Sequence, residues 1–232
     1  MIDLRIADFV AGAREARGLV VVIDVFRAFS LAVHAMARGA ERIWPVAEIE
    51  AALQLKTRYP HAILLGERFA KPLPGFDSGN SPADLERFDV RGRTLIHTTH
   101  AGTQGLVGAI NADEVITGSL VNAAAIVAYI RRRSPSIVTL VRMGQHATER
   151  CMEDDACADV IARRLRGESP DMNTVCNGLR DAPSARKFFD PDCDWAPERD
   201  FELCTAFDAF DFVLRLDRSV EPIALVRIPI GH

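Results

Sequence analysis

The chain reads as an α/β protein: a mostly parallel or mixed sheet in a three-layer α/β/α arrangement, with long active-site loops. Three observations predict this. Short apolar runs alternate with helix-like segments along the 232 residues. The first of these runs, Val20 to Ile23, is continuously apolar, as a strand buried on both faces requires. Polar and ionisable residues gather directly after the runs, where an open α/β sheet presents its ligand-binding edge.

"LVVVIDV" (19–25) is the first buried strand, and "SLAVHAMARGA" (30–40) is a helix ending at Gly39. "RIWPVA" (42–47) is a weaker strand, because Pro45 has no N–H and demotes it from a central position. "EIEAALQLKTRY" (48–59) is an amphipathic helix stopped by Pro60. "HAILLGE" (61–67), "RTLIHTT" (93–99), "DEVITGS" (113–119) and "SIVTLVR" (136–142) are further strands. Helical segments start near Gly102, Asn122 and Glu153, and "PIALVRIPI" (222–230) is a closing strand. Two irregular stretches, 67–92 and 167–200, break the rhythm. Loops this long are usually functional or disordered. The second suits a lid or an interface loop and marks where a subdomain could divide. Otherwise residues 1–232 read as one domain.

A net charge of −4 leaves no basic footprint, so nucleic acid is not an expected partner. The run Arg131-Arg132-Arg133 reads as a cationic helix C-terminus facing a favourable dipole. No apolar run approaches the ~20 residues that span a bilayer. The N-terminal "MIDLRIADFV" is not a secretory signal. The five cysteines are odd in number and form no CxxC pair, which predicts reduced thiols and a cytoplasmic protein.

The residues following the strands are Asp24, Arg27 and Ser30; Glu67 and Arg68; Thr98, Thr99, His100, Gly102 and Thr103; Ser119 and Asn122; and Arg142, Gly144, Gln145 and His146, with Glu153, Asp154 and Asp155 beyond. Carboxylates suit a hard divalent cation such as Mg²⁺. Hydroxyls and glycines before helices suit an anion held by backbone N–H groups. Arginine suits bidentate recognition of phosphate or sulfonate oxygens. Singly, each has an ordinary structural reading: Asp24 can pair with Arg27, Asp154 and Asp155 can face a helix dipole, and Ser119 and Asn122 can cap. Their repeated placement at one edge favours a metal-plus-anion site. His97 and His100 lie three apart on a strand and so point to opposite faces, which disfavours a transition-metal pair. Phe26 stands where a haloacid-dehalogenase-type phosphatase needs its second acid. GxxxxGK[ST], GxGxxG after a strand and GxSxG are absent.

These stretches resemble one family in order and spacing from about residue 19 to 166. "VVIDVFRAFS" (21–30) is similar to the "VIDVLRATS" block of the 2-phosphosulfolactate phosphatases. "GER" (66–68) followed by "GFDSGNSP" (75–82) resembles their "GER…GFDLGNSP". "TTHAGTQG" (98–105), "GSLVNAAAIVAYI" (118–130) and "EDDACAD" (153–159) resemble three further blocks. "LCTAFDAFDFVLRL" in the tail is a looser match.

The resemblance implies Mg²⁺-dependent removal of phosphate from 2-phospho-3-sulfolactate, a step toward coenzyme M. It carries over Asp24, Arg27, Glu67, Asp77, Asn80, Ser81, Thr99, Gly102, Thr103, Ser119, Glu153 and Asp154. By their chemistry, the metal ligands are expected among Asp24, Glu67, Asp77, Glu153 and Asp154. Asp24, Arg27, Glu67 and Asp77 are the expected catalytic group. Arg27 and the Thr99–Thr103 turn are expected to hold phosphoryl or sulfonate oxygens. Asn80, Ser81, Gly102 and Ser119 complete the expected substrate contacts.

Phe29 replaces the Thr of the first block and Ala101 replaces the Asn of the third. "RMGQHATERCM" replaces a smaller Gly-rich run. His34, His100, His146 and Gln145 are candidate replacement donors. The departures leave two readings, a phosphatase for a small phospho-acid and a non-catalytic binder of a small anion. A symmetric homodimer is compatible with either.

Overall fold

The computed structural model describes residues 2–231. It opens with β1 (Asp3–Asp8), α1 (Phe9–Glu15), β2 (Leu19–Ile23), α2 (Ala28–Ala37), β3 (Arg42–Pro45), α3 (Ile49–Arg58) and β4 (Ile63–Arg68). There follow β5 (Lys71–Pro72), α4 (Pro82–Leu85), β6 (Thr94–Thr98), α5 (Gly102–Gly108), β7 (Glu114–Gly118), α6 (Ala123–Arg133) and β8 (Ile137–Arg142). The last part holds α7 (Met152–Leu165), α8 (Met172–Leu179), a 3-10 helix (Pro183–Phe188), α9 (Glu198–Thr205), β9 (Phe212–Asp217) and β10 (Ala224–Pro229).

The strands form one mixed sheet in the order β1-β8-β2-β7-β9-β10-β3-β6-β4-β5. β1, β8, β2 and β7 are parallel, and so are β3, β6 and β4. The antiparallel hairpin β9–β10 stands between these two blocks. It meets each at one register pair, Ile116 with Arg215 and Leu225 with Ile43. The three antiparallel steps make the two blocks run in opposite senses. Sheet twist of roughly 20–25° per strand then turns the second block round. The carboxyl ends of both blocks therefore reach one cavity.

β2 shows why its sequence is continuously apolar. Val20 and Val22 enter one core with Phe29, Leu31 and Leu106 from α2 and α5. Leu19, Val21 and Ile23 enter another with Ile126 and Ile130 of α6 and Ile161 of α7. A third core packs Ala52 of α3 on Leu64 and Ile96. Helices thus cover both faces of the sheet, as the alternating pattern predicts.

The structure corrects some elements. β1, α1 and β9 carry no strong pattern and were not expected. β1 is an edge strand whose residues are all exposed or half-buried, so it shows no apolar run. β3 is an interior strand despite Pro45. Its proline comes last, and β10 pairs with β3 only at Ile43, so the missing N–H breaks no ladder bond. The 167–200 stretch is largely ordered: Met172, Leu179, Ala182, Ala185, Phe188 and Ala196 join the core beneath β2 and α6. The five cysteines are free thiols. Among the described residues no helix is long and apolar enough to cross a membrane.

Candidate active site

A cavity of about 240 Å³ opens where the two blocks converge. β2 delivers Asp24, β4 delivers Glu67, β6 leads to His100 and Ala101, and β8 leads to Gly144, Gln145 and His146. The first turn of α7 adds Glu153 and Asp154. Four of the expected carboxylates therefore line one wall system.

Their hydrogen bonds show how each is fixed. Asp24 Oδ1 accepts from the Ala28 N–H at the start of α2, at 3.3 Å. Glu67 accepts from His100 N at Oε1 and from Ala70 N at Oε2, both at 2.7 Å. Asp154 accepts from Val25 N at 2.9 Å and Gly144 N at 2.8 Å, tying the ends of β2 and β8 together. Gly144 has φ +65°, and an added Cβ would lie 2.2 Å from the Glu149 carbonyl oxygen, so only glycine makes this turn. Glu153 Oε2 accepts from Ser184 Oγ at 2.5 Å.

Crowding of these acids shows in their protonation. Burial first, and then the neighbouring Glu67 carboxylate, push Asp24 up to about 7; the Ala28 N–H and Lys187 pull the other way. Burial, Asp24 and Glu153 hold Asp154 well above the usual carboxylate range. Cys151 also lines the cavity, but burial and the Asp154 and Glu153 charges push its thiol up, which disfavours a thiolate nucleophile.

Arg27 is placed differently from expectation. It borders the cavity, but its guanidinium is 98% buried and its charge is matched by Asp200, at 2.8 Å. It also donates to the carbonyls of Trp195 and Ala70, each at 2.8 Å. Three of its five N–H donors thus serve the protein. It does not pair with Asp24.

Asp77 does not reach the cavity. Its carboxylate accepts from Lys56 Nζ at 2.7 Å and Leu64 N at 2.8 Å, outside the lining residues. It fixes the "GFDSGNSP" loop against β4, so Asp77, expected as a metal ligand and catalytic group, stands outside the cavity that the other four carboxylates line.

The expected substrate contacts also divide. Asn80 lines the cavity; its Oδ1 pairs with His97 Nε2 at 3.0 Å, and its NH₂ makes no hydrogen bond to the protein. Burial lowers His97 to about 4, so the ring is neutral and donates to Asn80. Ser81 caps α4 and donates to Asp200 at 2.7 Å. Thr99 and Thr103 bond to each other across the turn into α5. Ser119 shares a 2.7 Å bond with Ser30. These four hydroxyl residues are buried, and none lines the cavity. Each of these hydroxyls is engaged by another group of the protein. Gly102 supports Asp24: a Cβ there would lie 2.8 Å from Asp24 Oδ2.

The two departures separate in the same way. Phe29 is fully buried in the core and is not in the cavity wall. Ala101 is in that wall, so the replaced amide leaves a cavity-facing position apolar. His100 and His146 do face the cavity and cluster with Phe69 at its mouth, with ring centroids 4.6–5.3 Å apart. His34 lies elsewhere, bonded to the Leu203 carbonyl at 3.0 Å.

No individual sequence signal marks Ser184, Lys187 and Trp195, which line the cavity from the 167–200 stretch, or Asp200. The length of that irregular stretch was the one available hint.

Among the described residues no three metal-ligating side chains stand together as a preformed shell. Mg²⁺ needs less: it keeps several waters and is commonly held by one or two carboxylates plus substrate phosphate. Asp24 Oδ2 and Glu153 Oε1 accept no backbone N–H, whereas both oxygens of Glu67 and Asp154 do. The donor chemistry fits a hard cation, with Asp24 and Glu153 as its first candidates and Glu67 and Asp154 as their supports.

A family model described as 2-phosphosulpholactate phosphatase matches residues 7–219. A protein of Caldanaerobacter subterraneus subsp. tengcongensis named as a probable 2-phosphosulfolactate phosphatase is 31% identical over 215 residues, covering 87% of this chain and 88% of the relative. One of the same name from Thermotoga petrophila is 33% identical over 217 residues, covering 86% and 89%. A third, from Carboxydothermus hydrogenoformans, is 42% identical over 121 residues, about half of each chain. The fold and site are those of an α/β protein with an acid-lined cavity at its strand ends. The chain belongs to the 2-phosphosulfolactate phosphatase family.

Proposed function

We propose that this protein is a Mg²⁺-dependent phosphomonoester hydrolase acting on 2-phospho-3-sulfolactate or a closely related phospho-acid. The observation that carries the reading is the convergence of Asp24, Glu67, Glu153 and Asp154 on one cavity, where burial first and then neighbouring carboxylates raise two of them. Like charges packed this closely call for a cation when ionised. Asp24 and Glu153 would hold Mg²⁺, which when bound neutralises phosphoryl charge. The Asn80 amide would orient an oxygen of the substrate, and the Glu67 bonds to Ala70 and His100 keep the two rim loops in place. Overall, a water oxygen bonds to phosphorus, the ester P–O bond breaks, and the released alkoxide takes up the proton.

Ala101 supports a second reading, in which the cavity binds a small anion without turning it over. One assay separates the two: phosphate release from 2-phospho-3-sulfolactate and a panel of small phosphoesters, with Mg²⁺ and with EDTA. Release that requires Mg²⁺ supports the hydrolase. Ligand binding with no release from any substrate would leave the binder.

A further inference from the structure

We propose that Lys187 is the group that holds the phosphoryl oxygens in this cavity; this rests on reading the cavity as the phosphate site. Lys187 lies on the 3-10 helix Pro183–Phe188 and lines the cavity. It is the one lysine in the wall, and Arg27 is the one arginine. Arg27 is neutralised by Asp200. Among the described residues, Lys187 has no carboxylate within salt-bridge distance; burial and then Arg27 lower its pKa, while Glu153 and Asp24 favour its charged form. Its one hydrogen bond is to the Phe26 carbonyl, long at 3.5 Å, and its Nζ lies 5.1 Å from the Phe188 ring centroid.

The ammonium is placed, not adrift. Phe188 is buried and meets Phe26 edge-on at 5.2 Å, and Ser184 on the same turn bonds Glu153. An ammonium has three donors, and this one spends a single weak one on the protein. It lines the same cavity as Asp24 and Glu153, where a bound oxyanion would meet its free donors. Four carboxylates alone would repel a phosphoester, and Lys187 supplies a positive charge in the same cavity wall.

The experiment is calorimetric titration of the full chain with inorganic phosphate, in the presence of Mg²⁺, and separately with Mg²⁺ alone. Wild type, Lys187→Met and Lys187→Arg are compared, with thermal melting to check folding. The expected result for Lys187→Met is a phosphate Kd weaker by roughly tenfold to hundredfold, the effect of one charge-assisted bond. Its Mg²⁺ Kd should tighten, because a cation near the carboxylates has been removed. Lys187→Arg should keep most of the phosphate affinity. Phosphate affinity equal to wild type in Lys187→Met overturns the inference. So does loss of both phosphate and Mg²⁺ binding in both variants, which marks a structural role. A wild-type protein that neither binds phosphate nor hydrolyses any phosphoester sinks the proposed function itself, and the inference with it.

Discussion

Arg27 and Asp200 form a buried ion pair, Nη1 to Oδ2 at 2.8 Å, although 173 residues separate them in the chain. Asp200 also accepts from Ser81 Oγ at 2.7 Å and Ala83 N at 3.0 Å. One carboxylate thereby joins the segment after β2, the "GNSP" loop and α9, and so fixes three sides of the cavity. Truncating one partner of such a pair strands a buried charge.

Asp200→Ala should therefore cost about 3–5 kcal/mol, read as a shift in the denaturant midpoint at unchanged m. The double variant Arg27→Met/Asp200→Leu should be less destabilised than the sum of its two single changes, because neither charge is then left alone. Additive losses would show that the pair is not the unit that matters.

Asp24→Asn should abolish phosphate release while leaving the fold intact. It should also raise the melting temperature of the metal-free protein at pH 8, by roughly 4 °C. The sign follows from a folded-state pKa raised from 3.8 to about 7. The stability associated with Asp24 is fully present below about 4 and lost as pH rises through about 7. The gap in melting temperature between the variant and wild type should therefore open between those limits and be absent at pH 3.5. A variant with unchanged kcat would remove Asp24 from the chemistry.

The same crowding predicts a pH-dependent response to Mg²⁺. The cation requires ionised carboxylates, and Asp24 and Asp154 are both raised. The melting-temperature gain at a fixed, saturating Mg²⁺ concentration should be larger at pH 8 than at pH 5. His97 works in the opposite direction: its folded pKa of about 4 lies below 6.5, so its contribution is lost as pH falls through 4. The comparison with and without Mg²⁺ at each pH cancels that contribution.

Gly102→Ala tests the packing behind Asp24. The new Cβ would meet Asp24 Oδ2 at 2.8 Å, the Ala28 Cβ at 3.0 Å and the Phe29 ring at 3.1 Å. Displacing the carboxylate should lower kcat/KM on the order of 10²-fold. Circular dichroism should still report the native helix content. Unchanged kinetics would mean that Asp24 tolerates the shift.

Asp77→Asn is the contrasting case. Asp77 is exposed and pairs with Lys56 away from the cavity, so the change should cost under about 1 kcal/mol. It should leave turnover with Mg²⁺ close to wild type. A collapse of activity comparable to that of Asp24→Asn would return Asp77 to the site.

The α/β class, the central strands and most of the cavity's carboxylates are legible in the amino-acid order. The reason is local: apolar period and strand-end composition are written in neighbouring residues, as in "VVIDVFRAFS". Asp24, Glu67, Glu153 and Asp154 could be named in this way and Asn80 through the family resemblance, and they meet in one cavity. Tertiary structure alone decided how the polar groups are spent. Arg27, Ser81, Thr99, Thr103 and Ser119 look like anion donors in the sequence, yet remote partners engage Arg27, Ser81 and Ser119, and Thr99 and Thr103 engage each other. Lys187 shows no motif, yet the fold of the 167–200 stretch brings it into the same cavity as Asp24 and Glu153. A side chain's chemistry is a local property, but whether it is free to meet a ligand depends on which remote groups the packed chain brings against it.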